Sequence, residues 1–421
     1  MRGISSARIV TARQTGARDP YGLVSGDVFN NPHPLYHVLR YAEPVHWSEV
    51  LNAWVLTRYD DVVAALKDPR LSSAMRRAVA SSQLPPEVRA KMEPIDRFLA
   101  LWVLNLDDDE HLRLRRMLSR AFSPRAIARM KPLIEQTASE LLDAVQARGE
   151  MDFVPQYAQP LPVRAVAEML GVPLEDRPRL AAWSRDIGTF FALGPSRMEV
   201  LDAMVRAFTE MTDYLRGIVA GLRTTGSDTV LGSLAREEEE EGGHALSEDQ
   251  LLATGVMLLF AGHDSTVNLI GNGMLCLFQH PEQRARLKAD PALIATAVDE
   301  FLRYESPVMR HDRVAREDFE LHGHTIRARQ RVIMVLGAAN RDPARWENPD
   351  RLDVGRADAR QHTTFGGGPH ACLGASLAVA QAQTALSMAL ERLPRLRLAG
   401  EYRWREHFNF RGLQTLPVSW G

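Results

Sequence analysis

Only two cysteines occur in 421 residues, Cys276 and Cys372. That is too few for a disulfide framework, so each thiol matters, if at all, as a free group. Lysine is nearly as scarce: Lys67, Lys91, Lys131 and Lys288 stand alone among 51 basic residues, the rest being arginine, a bias that reflects genomic base composition. An excess of one charge is also lacking, since 53 acidic residues leave a formal net charge of −2. Nothing in that balance recruits nucleic acid or an anionic membrane. No apolar run reaches the roughly 18 to 20 residues of a bilayer span. The longest, Leu251 to Ala261, stops at Gly262, His263 and Asp264. The stretch from Met1 to Pro20 carries arginines and no signal-type hydrophobic segment. A cytoplasmic protein without a membrane or nucleic-acid partner is expected. Repeats, low-complexity linkers and composition breaks are absent too, so residues 1–421 read as one domain.

What the chain does have is core-forming material, 45% hydrophobic against 25% charged. Apolar residues recur at three- and four-residue spacing over Asp60 to Lys67, Glu110 to Ala121, Ala126 to Arg148, Met198 to Leu222 and Pro291 to Tyr304, which predicts helices. Strand-like pieces are confined to Val45 to Thr57, Phe319 to Val335 and Trp404 to Val418. The fold class is mainly α, a helix-rich α+β arrangement without βαβ alternation. The acidic run Glu237 to Glu241 with Gly242 and Gly243 reads as a solvated loop. Beyond it, Ser247 and Gln250 have capping-box spacing, and an apolar pattern runs on to about Phe278. A helix of that length, roughly 45 to 50 Å, must cross the middle of the molecule.

The chemistry-bearing segment runs from Phe365 to Ala375, where Gly366, Gly367 and Gly368 precede Pro369, His370, Ala371, Cys372, Leu373 and Gly374, followed by a helical pattern from Ser376 to Leu393. Glycines let the backbone bend sharply and approach a flat partner, and amides at a helix start stabilise a thiolate. An inert buried thiol is the ordinary fate of a lone cysteine, and Cys276, inside an apolar helix, is read that way. Phe365, Gly366, Gly368, His370, Cys372 and Gly374, however, match position for position the cysteine-loop signature of the cytochrome P450 family, which this chain resembles.

The resemblance implies a mainly α P450 fold, haem b (iron protoporphyrin IX) with the Cys372 thiolate as axial metal ligand, and His370 at a propionate. It extends over nearly the whole chain. Glu300 and Arg303 match the Glu-x-x-Arg pair, a structural ion pair across one helical turn, with Arg351 in Pro349-Asp350-Arg351 completing a buried charge cluster. His111 and Arg115 resemble the pair that clamps propionates from one helix face, and Arg313 matches a strand arginine of the same role. Without the resemblance these would read as solvated helix faces. Arg116, Arg120 and Arg125 would help receive an acidic electron donor.

Ala261 and Gly262 through Asp264, Ser265 and Thr266 resemble the oxygen-activation segment, Ala261 and Gly262 leaving room beside the cofactor. Glycine and serine weaken a helix ladder, so a local opening is expected here. Asp264 would feed protons and the neighbouring hydroxyl would direct them. The position that usually carries threonine is Ser265, with Thr266 behind it, which leaves room for chemistry other than simple hydroxylation.

By the same resemblance Met257, Phe260, Val308, Met309 and Phe410 overlook the cofactor, with Phe98 and Trp102 in a further wall from Arg97 to Asn105. Core packing is the competing explanation for each. The expected function is a monooxygenase of secondary (natural-product) metabolism that acts on a small apolar molecule with O2, fed by separate ferredoxin and ferredoxin reductase donors. Oxidative ring or C-C coupling on the same haem, a non-catalytic haem sensor or electron carrier, and a cysteine hydrolase using Cys372 and His370 are the alternatives. The Asp264–Ser265 pair weighs against the second, and the lack of an oxyanion signature against the third.

Overall fold

The structure, a computed structural model, describes residues 19–193, 197–225, 229–236 and 246–421. The acidic run Glu237 to Glu241 and most of the stretch from Met1 to Pro20 lie outside the described residues.

Helices make up most of the fold, with four small sheets among the described residues. Every helix expected from periodicity is present: Tyr59–Lys67, Asp108–Ala121, Pro124–Gln146, Met198–Thr225 and Ile294–Tyr304, the last preceded by a short 3-10 turn at Pro291–Leu293. At the centre lies Glu248–Gln279, 32 residues long, about 48 Å at ~1.5 Å per residue. Its capping box is formed: the Ser247 Oγ accepts from the Gln250 amide at 3.2 Å and the Gln250 side chain accepts from the Ser247 amide at 3.0 Å. Its residues are buried almost all round, as a helix sheathed by others must be. Pro160–Leu170, Ala375–Arg392, Met198–Thr225 and Ile294–Tyr304 pack against it. The helix is unbroken through Ala261 to Thr266. The expected opening does not interrupt the helix, whose assignment is continuous past glycine and serine.

A five-stranded sheet carries the other side of the site, in the order Val45–Ser48, Ala53–Leu56, Arg331–Val335, Arg310–Ala315, Leu71–Ser72. The Ala53–Leu56 and Arg331–Val335 pair is parallel and its neighbours antiparallel. Arg310–Ala315, with its interspersed charges, escaped the period-2 reading of the sequence. The tail returns as Leu413–Thr415 and Pro417–Ser419, so the expected strands from Trp404 to Val418 are present in short pieces.

Two buried ion clusters hold these layers. Arg303 donates to both oxygens of Glu300 at 2.7 and 2.8 Å, with both side chains fully buried. Arg303 also donates to the carbonyls of Asn340 and Pro349 at 2.8 and 2.9 Å. The third charged member is Arg356, whose Nε lies 3.1 Å from Glu300. Arg351 does not fill that role: its side chain is exposed and only its carbonyl joins the cluster, accepting from Arg303 and Arg356. In the second cluster Glu305 takes hydrogen bonds from Arg411 and from His33, the latter at 3.4 Å. Arg411 continues to the carbonyls of Phe29 and Asn30 at 2.8 and 3.1 Å. Burial pushes Glu305 upward, but Arg411, His33 and Arg341 outweigh it and hold the carboxyl below its ordinary range.

Removing one partner of a buried ion pair strands the others without compensation. Glu300→Ala should therefore lower unfolding stability by about 3 to 5 kcal/mol in denaturant melts. Arg351→Ala should stay within about 0.5 kcal/mol of the parent, as exposed positions do.

Candidate active site

The glycine loop closes on itself before it delivers the thiol. The Gly366 amide donates to Thr363 O at 2.8 Å, and the Cys372 amide donates to Phe365 O at 2.9 Å. Gly366 and Gly368 take left-handed backbone angles, φ +69° and +63°. At Gly368 a Cβ would stand 2.8 Å from the Leu66 carbonyl oxygen, so the loop can rest on the end of Tyr59–Lys67 only without a side chain. Cys372 then sits at the mouth of Ala375–Arg392, deep within the fold yet uncovered on one side. Burial raises its thiol pKa, and the Gly374 amide and the Arg115 guanidinium pull the other way. Cys276 shows the contrast. Its thiol is buried in the central helix, raised by burial, and has no use for an anion.

The uncovered side of Cys372 faces a cavity of about 1110 Å³. Phe365, Cys372, Leu373 and Gly374 line it from the loop, and Met257, Phe260, Ala261, Gly262, Ser265 and Thr266 from the central helix. Val308 and Phe410 face it together, joined by an isolated antiparallel bridge. Trp102 stacks on Phe260 with ring centroids 5.8 Å apart, and Phe191 lies 4.7 Å from the same ring.

Cationic and donor groups gather at one edge. The rings of His111 and His370 lie 4.0 Å apart, His370 is 3.8 Å from Asp107, and Arg115 donates to Ala371 O. Burial, followed by His370 and Arg115, lowers the His111 pKa to about 4, and its Nε2 is buried without a hydrogen-bond partner. Arg313 is buried beside them, and its charge depresses both histidines. These groups outnumber the carboxylates beside them, Asp107 and Asp312, and suit a further anionic ligand. No cluster of three or more His, Cys, Asp or Glu side chains among the described residues could hold a metal ion. A metal on Cys372 must bring its remaining ligands with it, as a porphyrin does.

The cytochrome P450 family model matches residues 196–396. The chain is 37% identical over 398 residues to the biotin biosynthesis cytochrome P450 of Bacillus subtilis (strain 168), covering 94% of this chain and 98% of that protein. This chain belongs to the cytochrome P450 family. It is also 38% identical over 416 residues to the vitamin D(3) 25-hydroxylase of Pseudonocardia autotrophica, covering 97% and 99% of the two chains. The crystal structure of P450BioI in complex with hexadec-9Z-enoic acid ligated acyl carrier protein superposes with a TM-score of 0.86 at 35% identity, covering 94% of this chain and all of that one. The chain is accordingly a haem-thiolate monooxygenase, similar to bacterial P450s of biosynthetic pathways. No helix among the described residues is long and apolar enough to cross a membrane.

Several side chains of this P450 sit elsewhere than the sequence led us to expect. Met309 does not line the cavity. Its side chain fills the space that Gly337 leaves beside Tyr36, so a Cβ at 337 would meet the Met309 Cε at 2.3 Å. Arg313 lies behind the wall, which Arg310, His311 and Asp312 form in its place. Phe98 leans on Phe208 at 5.9 Å and leaves the wall to Leu99, Trp102 and Val103. Gly262 does border the cavity, yet its missing side chain is also required by Val166, 2.9 Å from where a Cβ would stand. Asp264 turns away from the cavity to an ion pair with Arg405 at 2.7 Å. Burial raises its pKa, but Arg405 and His263 more than offset this and keep it ionised. Sequence reasoning missed Asp107, Arg405 and His407. Asp107 had a signal, an acid just ahead of a helix start, whereas nothing local marks Arg405 or His407.

Gly368→Ala must relieve both a left-handed backbone and a contact with Leu66 O. Purified G368A should carry less than half the haem per chain of the parent by pyridine haemochrome assay, a loss of the order expected when a strained loop position is overfilled.

Proposed function

We propose that this chain is a cytoplasmic, single-domain P450 monooxygenase that holds haem b through Cys372 and inserts one oxygen atom into a C–H bond or alkene of a small apolar molecule. The observation that carries the reading is that Cys372, Ser265 and Thr266 line one largely apolar cavity. Haem bound through a thiolate supplies dioxygen activation, the sulfur's electron density favouring oxygen–oxygen cleavage. Gly374 and Arg115 offset the desolvation of the sulfur, and His111, Arg115 and His370 would receive propionates, with the charge of Arg313 behind them. The names of the relatives support an apolar substrate, one being a vitamin D(3) hydroxylase and one solved structure holding an acyl chain.

The central helix divides its labour across its faces. Ser265 and Thr266 line the cavity, and neither hydroxyl is spent on a hydrogen bond among the described residues. Asp264 is one step away, charged and held by Arg405. To pass a proton inward it must release that guanidinium, so its ion pair sets the resting position of the relay. Electrons come from separate ferredoxin and ferredoxin reductase proteins, with Arg116, Arg120 and Arg125 forming part of the receiving surface.

Two measurements test this. The reduced protein under carbon monoxide should show a strongly red-shifted Soret band that Cys372→Ser abolishes or moves; a band typical of histidine-ligated haem overturns the ligand assignment. Asp264→Asn should slow product formation about a hundredfold to ten-thousandfold, the range of a lost general acid, and divert reducing equivalents to peroxide. Unchanged coupling would remove Asp264 from the proton path.

A further inference from the structure

The C-terminal turn brings an imidazole to the wall of the cavity. His407 lines it beside Asn409 and Phe410, its ring meeting that of Phe410 edge-on at 4.8 Å. Backbone amides fix the ring's chemistry: Asn409 and Phe410 both donate to Nδ1, at 3.1 and 3.2 Å. A nitrogen that accepts N–H bonds carries no proton, so the neutral ring must hold its proton on Nε2. Burial is the largest influence on its charge; Asp264 opposes it and Arg405 reinforces it, leaving a pKa lowered to about 4. Nε2 has no hydrogen-bond partner among the described residues, yet it is not shut away in the packing.

The turn is anchored on both flanks. The Arg405 amide donates to Gly412 O at 2.9 Å while its guanidinium pairs with Asp264, and the Met309 amide donates to Asn409 O at 2.8 Å. Arg411 N closes the far side on Pro307 O at 3.0 Å. A donor held this firmly, against Phe410 and its bridge partner Val308 on a largely apolar cavity wall, has the character of a built recognition group.

Resting on the monooxygenase reading above, we propose that His407 is a substrate-positioning residue whose Nε2–H donates to an acceptor oxygen on an otherwise apolar substrate. The substrate class is then an apolar molecule bearing a carbonyl, ester or hydroxyl oxygen, and a pure hydrocarbon is disfavoured. A molecule without the acceptor leaves the Nε2–H unpaired in a desolvated wall, which costs more than the bond itself contributes. Asp264 lies nearby with its Oδ1 engaged by Arg405, and it makes no hydrogen bond to His407 among the described residues.

The test uses the holoprotein labelled with nitrogen-15 histidine, in its diamagnetic ferrous carbon monoxide form, with the His407 signals identified by their loss in His407→Phe. Across neutral pH the ring should be uncharged and protonated at Nε2, and that proton should move downfield when 2-undecanone is added. Haem spectral titrations with 2-undecanone and undecane supply the second reading. The parent should favour the ketone by about five- to tenfold more than His407→Phe does, the factor one neutral hydrogen bond gives. His407→Gln, which keeps a donor, should restore most of that preference. A cationic or Nδ1-protonated ring overturns the assignment, as does a ketone preference unchanged in His407→Phe. If neither ligand binds, the tautomer decides alone. A red-shifted carbon monoxide band in every variant shows that the haem-thiolate reading stands even where the role of His407 falls.

Discussion

A sulfur that must bear charge inside an apolar interior is the constraint around which this molecule is arranged. Burial drives the Cys372 thiol toward its protonated form, and among the described residues the Gly374 amide and Arg115 oppose it. The loop that carries the sulfur must therefore be rigid, short of side chains and set at a helix start. Two left-handed glycines, a contact with Leu66 and the self-closing bond from Cys372 N to Phe365 O meet those demands together. The Glu300, Arg303 and Arg356 cluster ties the Ile294–Tyr304 helix to the segment that leads into the loop, through carbonyls of Asn340, Pro349 and Arg351.

Such features are legible in sequence when the chemistry is local. The cysteine loop, the capping box at Ser247 and Gln250 and the length of the central helix depend on neighbours within a few residues, and all three stand as read. Features set by distant packing were not legible. Met309 follows Val308 in a segment that borders the cavity, and only Gly337, on another element, decides that its side chain turns into the core. Arg351 and Arg356 are indistinguishable as arginines just after the Asn340 segment; the turn between them selects the second for Glu300. Arg405 and His407 lie about 140 residues from Asp264, and no periodicity connects them.

The central helix shows how one element can serve two unlike tasks. Ser265 and Thr266 face the cavity while Asp264 faces an arginine of the tail, and the helix remains continuous between them. Serine at 265 keeps the hydroxyl of the threonine usual in the family but loses its methyl and with it rotamer definition, while the buried Thr266 lies on the same wall.

The bond network around Glu305 has a consequence for how the molecule comes into being. Arg411 reaches back to carbonyls at Phe29 and Asn30 while holding Glu305, which also meets His33. Its neighbour Phe410 bridges Val308 on the cavity wall. During synthesis that wall has no floor until residue 411 has left the ribosome, because contacts so distant in sequence form only after the intervening chain exists. The side of the cavity beside Val308 therefore stays open until Arg411, 382 residues beyond Phe29, has joined it.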